Sequence, residues 1–349
     1  MFCNYLDKVY TIVVYALIRF IKKNYDLRKS LKDEKIRKLD SEKGSLCMKR
    51  GFITIATGDK HYYKLAANLL ETYRFFAKNP LPFAIIAEKH NEYTEMFDDV
   101  IITNESKHSF MDKFLLFKLC PYDETIFIDA DCLAYGDLNG WWKHFDGATD
   151  FSATGVNVGL EDNNGAWYNI DGIGKWAFGL KYKSRVHAGV MFFRKSEVLT
   201  HIYEECVAIA NDWDNIEIQW RNSIDEGSFG IVMPRFCMKA IPEPPELLAY
   251  YPCFLECETS MFRPGIKFKA DWCECDNSSL LHFGNYHTHE PLYRFDMQCF
   301  RLLQRYGNDN LSMVKHLLYK KRLKLPFMKF AWIPVEFCKK VSRKLHSKS

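Results

Sequence analysis

Short apolar runs rich in β-branched residues alternate with stretches of helical spacing in the first part of the folded region. The apolar runs predict four strands, at residues 51–57, 82–88, 99–103 and 125–128. Apolar residues that recur every three or four positions predict two helices between them, at residues 61–78 and 109–120. Strands and helices that alternate in this way favour a parallel or mostly parallel sheet covered by helices, so we expect an α/β fold.

The pattern is less regular after residue 140. Residues 155–184 are rich in glycine, asparagine and aspartate, and we expect a long loop there, because loops of this length usually form lids or binding sites. The remaining elements are expected to be a strand at 186–194, a helix at 195–212, a short mixed segment at 224–233, a His-rich loop after an apolar strand within 279–290, and helices within 291–322.

Two carboxylates, Asp129 and Asp131, directly follow the strand at 125–128. Two like charges beside a buried strand repel each other, and a divalent cation bound by their oxygen atoms would offset the repulsion. Such a cation can also bridge the diphosphate of a nucleotide. A chance pair in a polar turn is the alternative. Gly58 and Asp59 end another strand, and ligands bind beyond the carboxyl ends of parallel strands, so both ends should face one crevice.

The segment around the two carboxylates resembles the D-A-D signature of glycosyltransferases with the GT-A fold, and it reads IFIDADCLAYGDL. It is most similar to glycosyltransferase family eight, which includes glycogenin and bacterial lipopolysaccharide galactosyltransferases. Four further segments resemble motifs of that family in the same order: ITIATGD (53–59), VHAGVMFF (186–193), IDEGSFGIV (224–232) and LLHF (280–283). The resemblance implies a Rossmann-like, mostly parallel sheet flanked by helices, followed by a helical C-terminal extension.

The resemblance also implies a metal and nucleotide site. Asp129 would contact the nucleotide ribose and share the metal, while Asp131 and His282 would be direct ligands. A carboxylate and imidazole set suits Mn²⁺, with Mg²⁺ as the alternative. Thr57 and Asp59 would line the pocket for the base.

Three further residues are implied to act on the donor sugar. Lys113 lies sixteen residues before Asp129, where the family keeps a lysine that neutralises phosphate or holds the donor sugar. Asp225 and Glu226 match the position that binds sugar hydroxyls and faces the reacting carbon. Each of these residues also has an ordinary structural interpretation, such as a helix N-cap for Asp225, and only the joint order of the motifs favours the functional one.

The sequence departs from the family pattern at three places. His187 replaces an asparagine, and Glu226 replaces a glutamine. The lysine that follows the metal-binding histidine in the family is missing, so His287, His289 or Arg294 would have to bind phosphate in its place.

We therefore expect a hexosyltransferase that moves a sugar from a nucleotide sugar, with UDP as the nucleotide, to an acceptor hydroxyl with retention at the anomeric carbon. The acceptor would be a glycan, a lipid-linked molecule or a protein. One alternative is a catalytically inactive GT-A-like scaffold at a membrane surface. A second is a phosphatase of the haloacid-dehalogenase type, which also places D-x-D after an apolar strand, although no clear candidate for its acidic loop is present.

The ends of the chain carry most of its positive charge. The formal net charge is only +4, which is not typical of a nucleic-acid-binding protein, but lysine and arginine are concentrated at 19–50 and 315–348. The apolar run at 9–21 is shorter than the roughly 20 residues of a spanning helix. Both ends suit an anionic membrane surface, so we expect a cytoplasmic, peripherally bound protein. A lumenal type II membrane protein is the alternative.

These patterns divide the chain into an N-terminal amphipathic helix and linker at 1–50, a catalytic domain at 51–290 and a basic helical tail at 291–349. Most of the twelve cysteines lie in apolar runs and are expected to be buried. A zinc site built from Cys253, Cys257, Cys273 and Cys275 is a weaker alternative, since their spacing is unusual for zinc.

Overall fold

The computed structural model describes residues 48–162, 166–219, 221–242, 248–250, 256–269 and 274–307. The chain divides into two units at Met48, and nearly all described residues belong to the second. The predicted amphipathic helix at 9–21, the basic tail beyond residue 307, and Cys253 and Cys273 lie outside the described residues. No helix in the described ranges combines the length and apolar character needed to cross a membrane.

The central sheet has six strands in the order β3-β2-β1-β4-β7-β6. Strands β1 to β4 run parallel, β7 is antiparallel to both of its neighbours, and the prediction of a mostly parallel α/β sheet is confirmed. The strands are β1 (Arg50–Ala56), β2 (Phe83–Ala87), β3 (Asp99–Ile102), β4 (Glu124–Ile128), β6 (Phe151–Val158) and β7 (Lys183–Arg194).

Two small sheets complete the strand structure. One has the order β5-β12-β8, and the other has the order β11-β10-β9. Their strands are β5 (Cys132–Ala134), β8 (Leu248–Tyr250), β9 (Glu256–Glu258), β10 (Ile266–Lys269), β11 (Glu274–Ser278) and β12 (Leu280–His282). Only three residues separate the end of β4 from the start of β5, so the chain passes directly from the central sheet into the first small sheet.

Helices cover both faces of the central sheet. They are α1 (Lys60–Phe76), α2 (Leu116–Leu119), α3 (Val198–Asn211), α4 (Ile224–Arg235) and α5 (Pro291–Tyr306). Short 3-10 segments lie at Thr94–Met96, Phe110–Leu115, Leu138–His144, Asp171–Ala177, Trp213–Asn215 and Asn285–His289. Helix α1 begins at a strand end because the Asp59 side chain accepts a hydrogen bond from the His61 backbone N–H at 2.6 Å and caps the helix.

Alternate residues of β4 point into two separate cores. Ile126 and Ile128 join the core beneath α1 and α5, whereas Phe127 joins the core beneath α3 and α4. All five residues of β4 are buried, so the end of this strand is held firmly from both sides. This places the residues that follow β4 in a fixed position.

Three local predictions differ from the structure. The helix expected at 109–120 is a 3-10 segment followed by a single α-helical turn. The loop expected at 155–184 contains the end of β6 and the start of β7. The mixed segment at 224–233 is helix α4, which contains two glycines and a proline.

Close packing explains the unusual composition of α4. A Cβ atom on Gly227 would lie 2.4 Å from the ring of Trp213, and one on Gly230 would lie 2.7 Å from the backbone oxygen of Ser184. Glycine therefore lets α4 approach β7 closely, and tertiary packing outweighs the low helix propensity of these residues.

Replacing Asp296 with asparagine is expected to flatten the dependence of stability on pH. Asp296 is 2% exposed and accepts hydrogen bonds at 2.6 Å from the hydroxyls of Tyr135 and Thr259. Burial raises the pKa of this carboxyl from 3.8 to about 6, against the opposing effect of both hydrogen bonds. The folded state therefore holds the proton more tightly than the unfolded state, and stability falls as the pH rises through this window.

The asparagine variant keeps an uncharged acceptor for both hydroxyls. At pH values above the raised pKa of Asp296, we therefore expect its unfolding free energy to exceed that of the unchanged protein by up to about 3 kcal/mol. Urea unfolding of both proteins at pH 4 and pH 7.5 measures this. A difference between the two proteins that does not change with pH would contradict the prediction.

Candidate active site

Two carboxylates lie where the chain passes from the central sheet into the small sheet. Strand β4 ends at Ile128, and Asp129 is held there because its backbone N–H donates to the Gly189 oxygen at 3.0 Å. Asp131 precedes Cys132, the first residue of β5. The side chains of Asp129 and Asp131 are each 18% exposed, so both carboxylates face a largely enclosed space.

His282 reaches the same place from the end of β12. The antiparallel register of β5 and β12 sets His282 opposite Cys132 and therefore next to Asp131. Its Nε2 atom lies 3.0 Å from Asp131 Oδ1 and 3.7 Å from Asp129 Oδ2. The backbone N–H of Phe283 donates to the backbone carbonyl oxygen of Asp131 at 3.2 Å, which fixes the two segments against each other.

The protonation of these three groups is interdependent. Burial opposes a charge on His282, but the carboxylates of Asp131 and Asp129 outweigh it and raise the pKa of the imidazole. Burial also acts on Asp131, yet the neighbouring imidazole lowers the pKa of this carboxyl. Burial raises the pKa of Asp129 to about 6, and the Asp131 charge adds to this while Lys113 opposes it.

Lys113 links the carboxylates to a second group of residues. Ser109 caps the 3-10 segment that carries it by accepting a hydrogen bond from the Met111 backbone. The Lys113 ammonium lies 2.9 Å from Asp129 Oδ2, 3.0 Å from Asp225 Oδ2 and 3.1 Å from the backbone oxygen of Ala188. Its three donors thus have three acceptors on three different elements.

The burial of Lys113 and Asp225 makes this ion pair strong and directional. Burial disfavours a charged ammonium, but Asp129 and Asp225 outweigh that effect and raise the pKa of Lys113. Burial raises the pKa of Asp225, with Lys113 opposing it and Glu226 adding to it. Lys113 is therefore a fixed positive charge at physiological pH.

Glu226 lies beside this ion pair in the first turn of α4. Its Oε1 atom accepts a hydrogen bond from the Ala188 backbone N–H at 3.3 Å and lies 3.6 Å from His187 Nδ1. Burial opposes its ionisation, but His187 outweighs this and lowers the pKa of the carboxyl. Glu226 is therefore ionised at neutral pH, and His187, which replaces an asparagine of the family pattern, makes the largest contribution to lowering its pKa, with Lys113 and the Ala188 N–H adding to it.

Thr57 and Asp59 follow the same edge of the sheet at the end of β1. The Thr57 hydroxyl donates to Asp112 Oδ2 at 2.7 Å, and the Asp59 carboxylate caps α1 through His61. Both side chains thus have structural contacts at this strand end. Their predicted role at a base pocket stays a prediction.

Sequence reasoning missed a second polar pair near Thr57. Glu88 Oε2 accepts a hydrogen bond from the Gly58 N–H at 2.6 Å, and Glu88 Oε1 lies 2.6 Å from His108 Nε2. Glu88 directly follows β2, so its position after a strand was an available signal. His108 had none, because a loop histidine is recognised only from three-dimensional contacts; Ala188 lies in the VHAGVMFF segment, but the contacts of its backbone were not predictable.

The three residues predicted to replace the missing lysine lie on the segment after His282. His287 Nδ1 is 2.5 Å from Glu290 Oε1, and the ring of His289 stacks on His61 at 4.9 Å between centroids. Arg294 is exposed in the first turns of α5. Their predicted role in binding phosphate stays a prediction.

The residues that could hold a cation overlap with the predicted ligands. One ligand atom each from Asp131, Cys132 and His282 lies within 4.8 Å of the others, and within the described residues this is the one such group of three. Asp129 adds a fourth donor next to His282. Burial, reinforced by Asp131, raises the pKa of the Cys132 thiol, and the carboxylates and the imidazole are oxygen and nitrogen donors that suit Mn²⁺ or Mg²⁺.

The alternative zinc site is represented by two cysteines in the described ranges. Cys257 on β9 and Cys275 on β11 each lie opposite Phe268 of the intervening strand β10. Burial raises the pKa of Cys257 to about 12. Burial of this kind is typical of a cysteine that packs as a small apolar side chain, and the zinc site stays an alternative prediction.

No protein-family model and no curated protein matches the chain. Solved structures with weak similarity include galactosyltransferase LgtC in complex with donor and acceptor sugar analogs, at 13% identity and a TM-score of 0.39, covering 58% of this chain and 76% of that one. Mouse xyloside xylosyltransferase 1 is 10% identical with a TM-score of 0.40 and coverage of 68% and 98%.

The bifunctional glycosyltransferase WbbM is 12% identical with a TM-score of 0.41, covering 70% of this chain. The chain spans less than half of the length of WbbM, at 47%. All three names are those of glycosyltransferases, the class of enzyme that the sequence motifs resemble, and at this level of similarity the interpretation depends on the residues of the site.

Proposed function

We propose that the protein is a metal-dependent hexosyltransferase that moves a sugar from a UDP-sugar to an acceptor hydroxyl with retention at the anomeric carbon. The observation that carries this proposal is the ammonium of Lys113, held between Asp129 and Asp225 beside the Asp131–His282 pair. The ammonium links the residues that would bind the cation to the residues that would face the sugar.

Asp129, Asp131 and His282 would hold the divalent cation, Mn²⁺ or Mg²⁺. The buried Asp131 Oδ1 atom lies 3.0 Å from His282 Nε2, so a carboxylate oxygen and an imidazole nitrogen already converge where a cation would bind. When bound, the cation would stabilise the negative charge of a departing diphosphate.

The other residues would bind and orient the donor. Lys113 supplies a fixed positive charge, and electrostatic groups held in place before reaction cost no reorganisation during it. Asp225 would accept hydrogen bonds from sugar hydroxyls, while Thr57 and Asp59 would lie near the base. Glu226, ionised and oriented by the Ala188 N–H, would face the anomeric carbon.

The acceptor is proposed to be a glycan, a lipid-linked molecule or a protein. The basic sequences at both ends would bring the catalytic unit to an anionic membrane surface from the cytoplasm. The phosphatase alternative is less well supported, because the two aspartates are paired with Lys113 and His282 and not with an acidic loop. The following experiment distinguishes a catalytically inactive scaffold from an active transferase.

UDP release should be measured for a panel of UDP-sugars with Mn²⁺ and with EDTA. We expect release from one donor that requires the metal. Asp131→Asn should weaken the apparent affinity for Mn²⁺ by about 100-fold or more, because it removes a charged ligand. The matched control is Asp146→Asn, which changes a 66% exposed carboxylate and should leave the metal affinity unchanged.

Stabilisation of the protein by UDP, measured as a shift in Tm, gives a second readout that does not depend on turnover. Stabilisation without UDP release from any donor would favour the scaffold. Neither stabilisation nor metal-dependent release would reject the UDP assignment.

A further inference from the structure

A cavity of about 680 Å³ lies between α1 and α5, a volume typical of small-molecule sites. One wall is a stripe of α1 residues that begins at His61, and the facing wall is a stripe of α5 residues that ends at Arg305. The segment after His282 closes one end through Thr288 and His289. None of the eight residues predicted for catalysis, nucleotide binding or metal binding lines the cavity, but His289 and Arg294, two of the three residues predicted to replace the phosphate-binding lysine, do.

The floor of the cavity is apolar and the rim is basic. Leu65, Tyr293 and Met297 form buried parts of its lining, each at most 5% exposed. Cations stand around the opening, namely Lys64 on α1 and Arg294, Arg301 and Arg305 on α5, and all four are exposed. Successive arginines seven and four positions apart lie on one face of a helix, which explains their convergence.

The described residues place little negative charge next to these four cations. None of them forms a salt bridge with a residue in the described ranges, although elsewhere in those ranges many lysines and arginines do. Arg301 donates to Asn68 Oδ1 at 3.4 Å, and Glu71 interacts with it electrostatically without lining the cavity. Like charges four positions apart, as in Arg301 and Arg305, destabilise a helix, so this arrangement lowers stability when no ligand is present.

We propose that this cavity binds a phosphate ester that carries an apolar group. The guanidinium groups of the three arginines offer paired N–H donors that match phosphate oxygens, and Lys64 adds a point charge from the opposite wall. The apolar floor would hold the hydrocarbon next to the phosphate. The sequence after α5 is itself rich in lysine and arginine, so its charge is not complementary to the rim. The proposal does not depend on the transferase activity.

Two probes distinguish a free phosphate ester from a lipid headgroup. Isothermal titration of the full chain should use phenyl phosphate, a free phosphate ester with an apolar group, and the soluble short-chain lipid dihexanoyl phosphatidic acid. Binding of both with similar affinity would identify a free phosphate ester as the ligand. Binding of the lipid at least tenfold more tightly would identify a headgroup together with its apolar chains.

The variants test whether the rim is responsible. Arg301→Gln/Arg305→Gln and, separately, Lys64→Gln should weaken binding by about tenfold or more, because each removes charge-assisted hydrogen bonds. Lys78→Gln/Lys181→Gln removes two exposed charges outside the cavity and should bind as the unchanged protein does. The unliganded arginine variant should retain its Tm, since it also loses a like-charge pair.

Three results would overturn the proposal. The first is the absence of binding of either probe to the unchanged protein. The second is an equal loss of affinity in the control variant, which would indicate a nonspecific charge effect. The third is a Tm several degrees lower in the unliganded arginine variant, which would show that the rim cations serve the fold.

Discussion

Replacing Lys113 with methionine is expected to lower kcat by about a thousandfold and the unfolding free energy by about 3–5 kcal/mol. The catalytic loss follows because the fixed positive charge beside the proposed diphosphate site disappears. The loss of stability follows because Asp225, 2% exposed, and Asp129 lose the cation that lies within 3.0 Å of both. Steady-state kinetics and urea unfolding measure the two effects separately.

A second substitution separates catalysis from folding. Lys113→Met/Asp225→Asn removes one of the two carboxylates left without a partner, so it should recover part of the stability and none of the activity. The control is Lys118→Met on α2, whose partially exposed ion pair with Glu105 should be worth less than about 1 kcal/mol. Full activity in Lys113→Met would reject the catalytic role of the ammonium.

Replacing Glu226 with glutamine is expected to lower kcat by about a thousandfold or more, with a much smaller change in KM for the donor. The amide has the same shape and can still accept from the Ala188 N–H, so the fold should be preserved. It cannot act as an anionic nucleophile. Because the pKa of Glu226 is lowered in the folded protein, its charge adds stability at neutral pH, so we expect a modest fall in the unfolding free energy of this variant.

The expected reaction has two steps, and each step forms one bond to the anomeric carbon while another breaks. A Glu226 carboxylate oxygen bonds to the anomeric carbon as the bond from that carbon to the diphosphate oxygen breaks, and the diphosphate leaves with the electron pair. The acceptor hydroxyl then displaces the carboxylate from the other face, and its proton passes to the diphosphate. Two inversions leave the configuration retained, as in retaining glycosidases.

Mass spectrometry of the protein incubated with donor alone should detect a hexose on Glu226, and NMR of the product should show retention. Glu204→Gln, an exposed change on α3, is the matched control and should leave kcat unchanged. Full activity of Glu226→Gln would exclude Glu226 as the nucleophile, because an amide cannot act as an anionic nucleophile. The protein would then resemble the family pattern, which has glutamine at this position. Retention would then need a mechanism without a covalent intermediate.

The strands of the central sheet were the most predictable part of the fold. Strands β1 to β4 are apolar runs bounded by breakers, and their order in the chain implied parallel pairing. The antiparallel direction of β7 was not predictable, because an apolar strand buried on both faces has the same pattern in either direction. Helix α4 was missed because glycines that allow close packing resemble a turn in sequence.

The candidate site was predictable only as a set of residue types in order. Asp129 and Asp131 were identifiable because a carboxylate pair after a buried strand needs a compensating charge. Nothing in the sequence indicated that Lys113 would contact Asp225 as well as Asp129, or that Cys132 would lie within ligand distance of His282. These contacts depend on strand register and helix packing, which are tertiary properties.

The Lys113 ammonium joins parts of the chain that are far apart in sequence, since its acceptor at Ala188 lies 75 residues away. Contacts of such long separation form only after large loops have closed, at a considerable entropic penalty. Pairing of β1, β2 and β3 alone would not bring Asp129 and Asp131 together with Lys113 and His282. A partly folded chain therefore has secondary structure without a crevice, and recovery of the binding site during refolding should follow completion of the whole sheet.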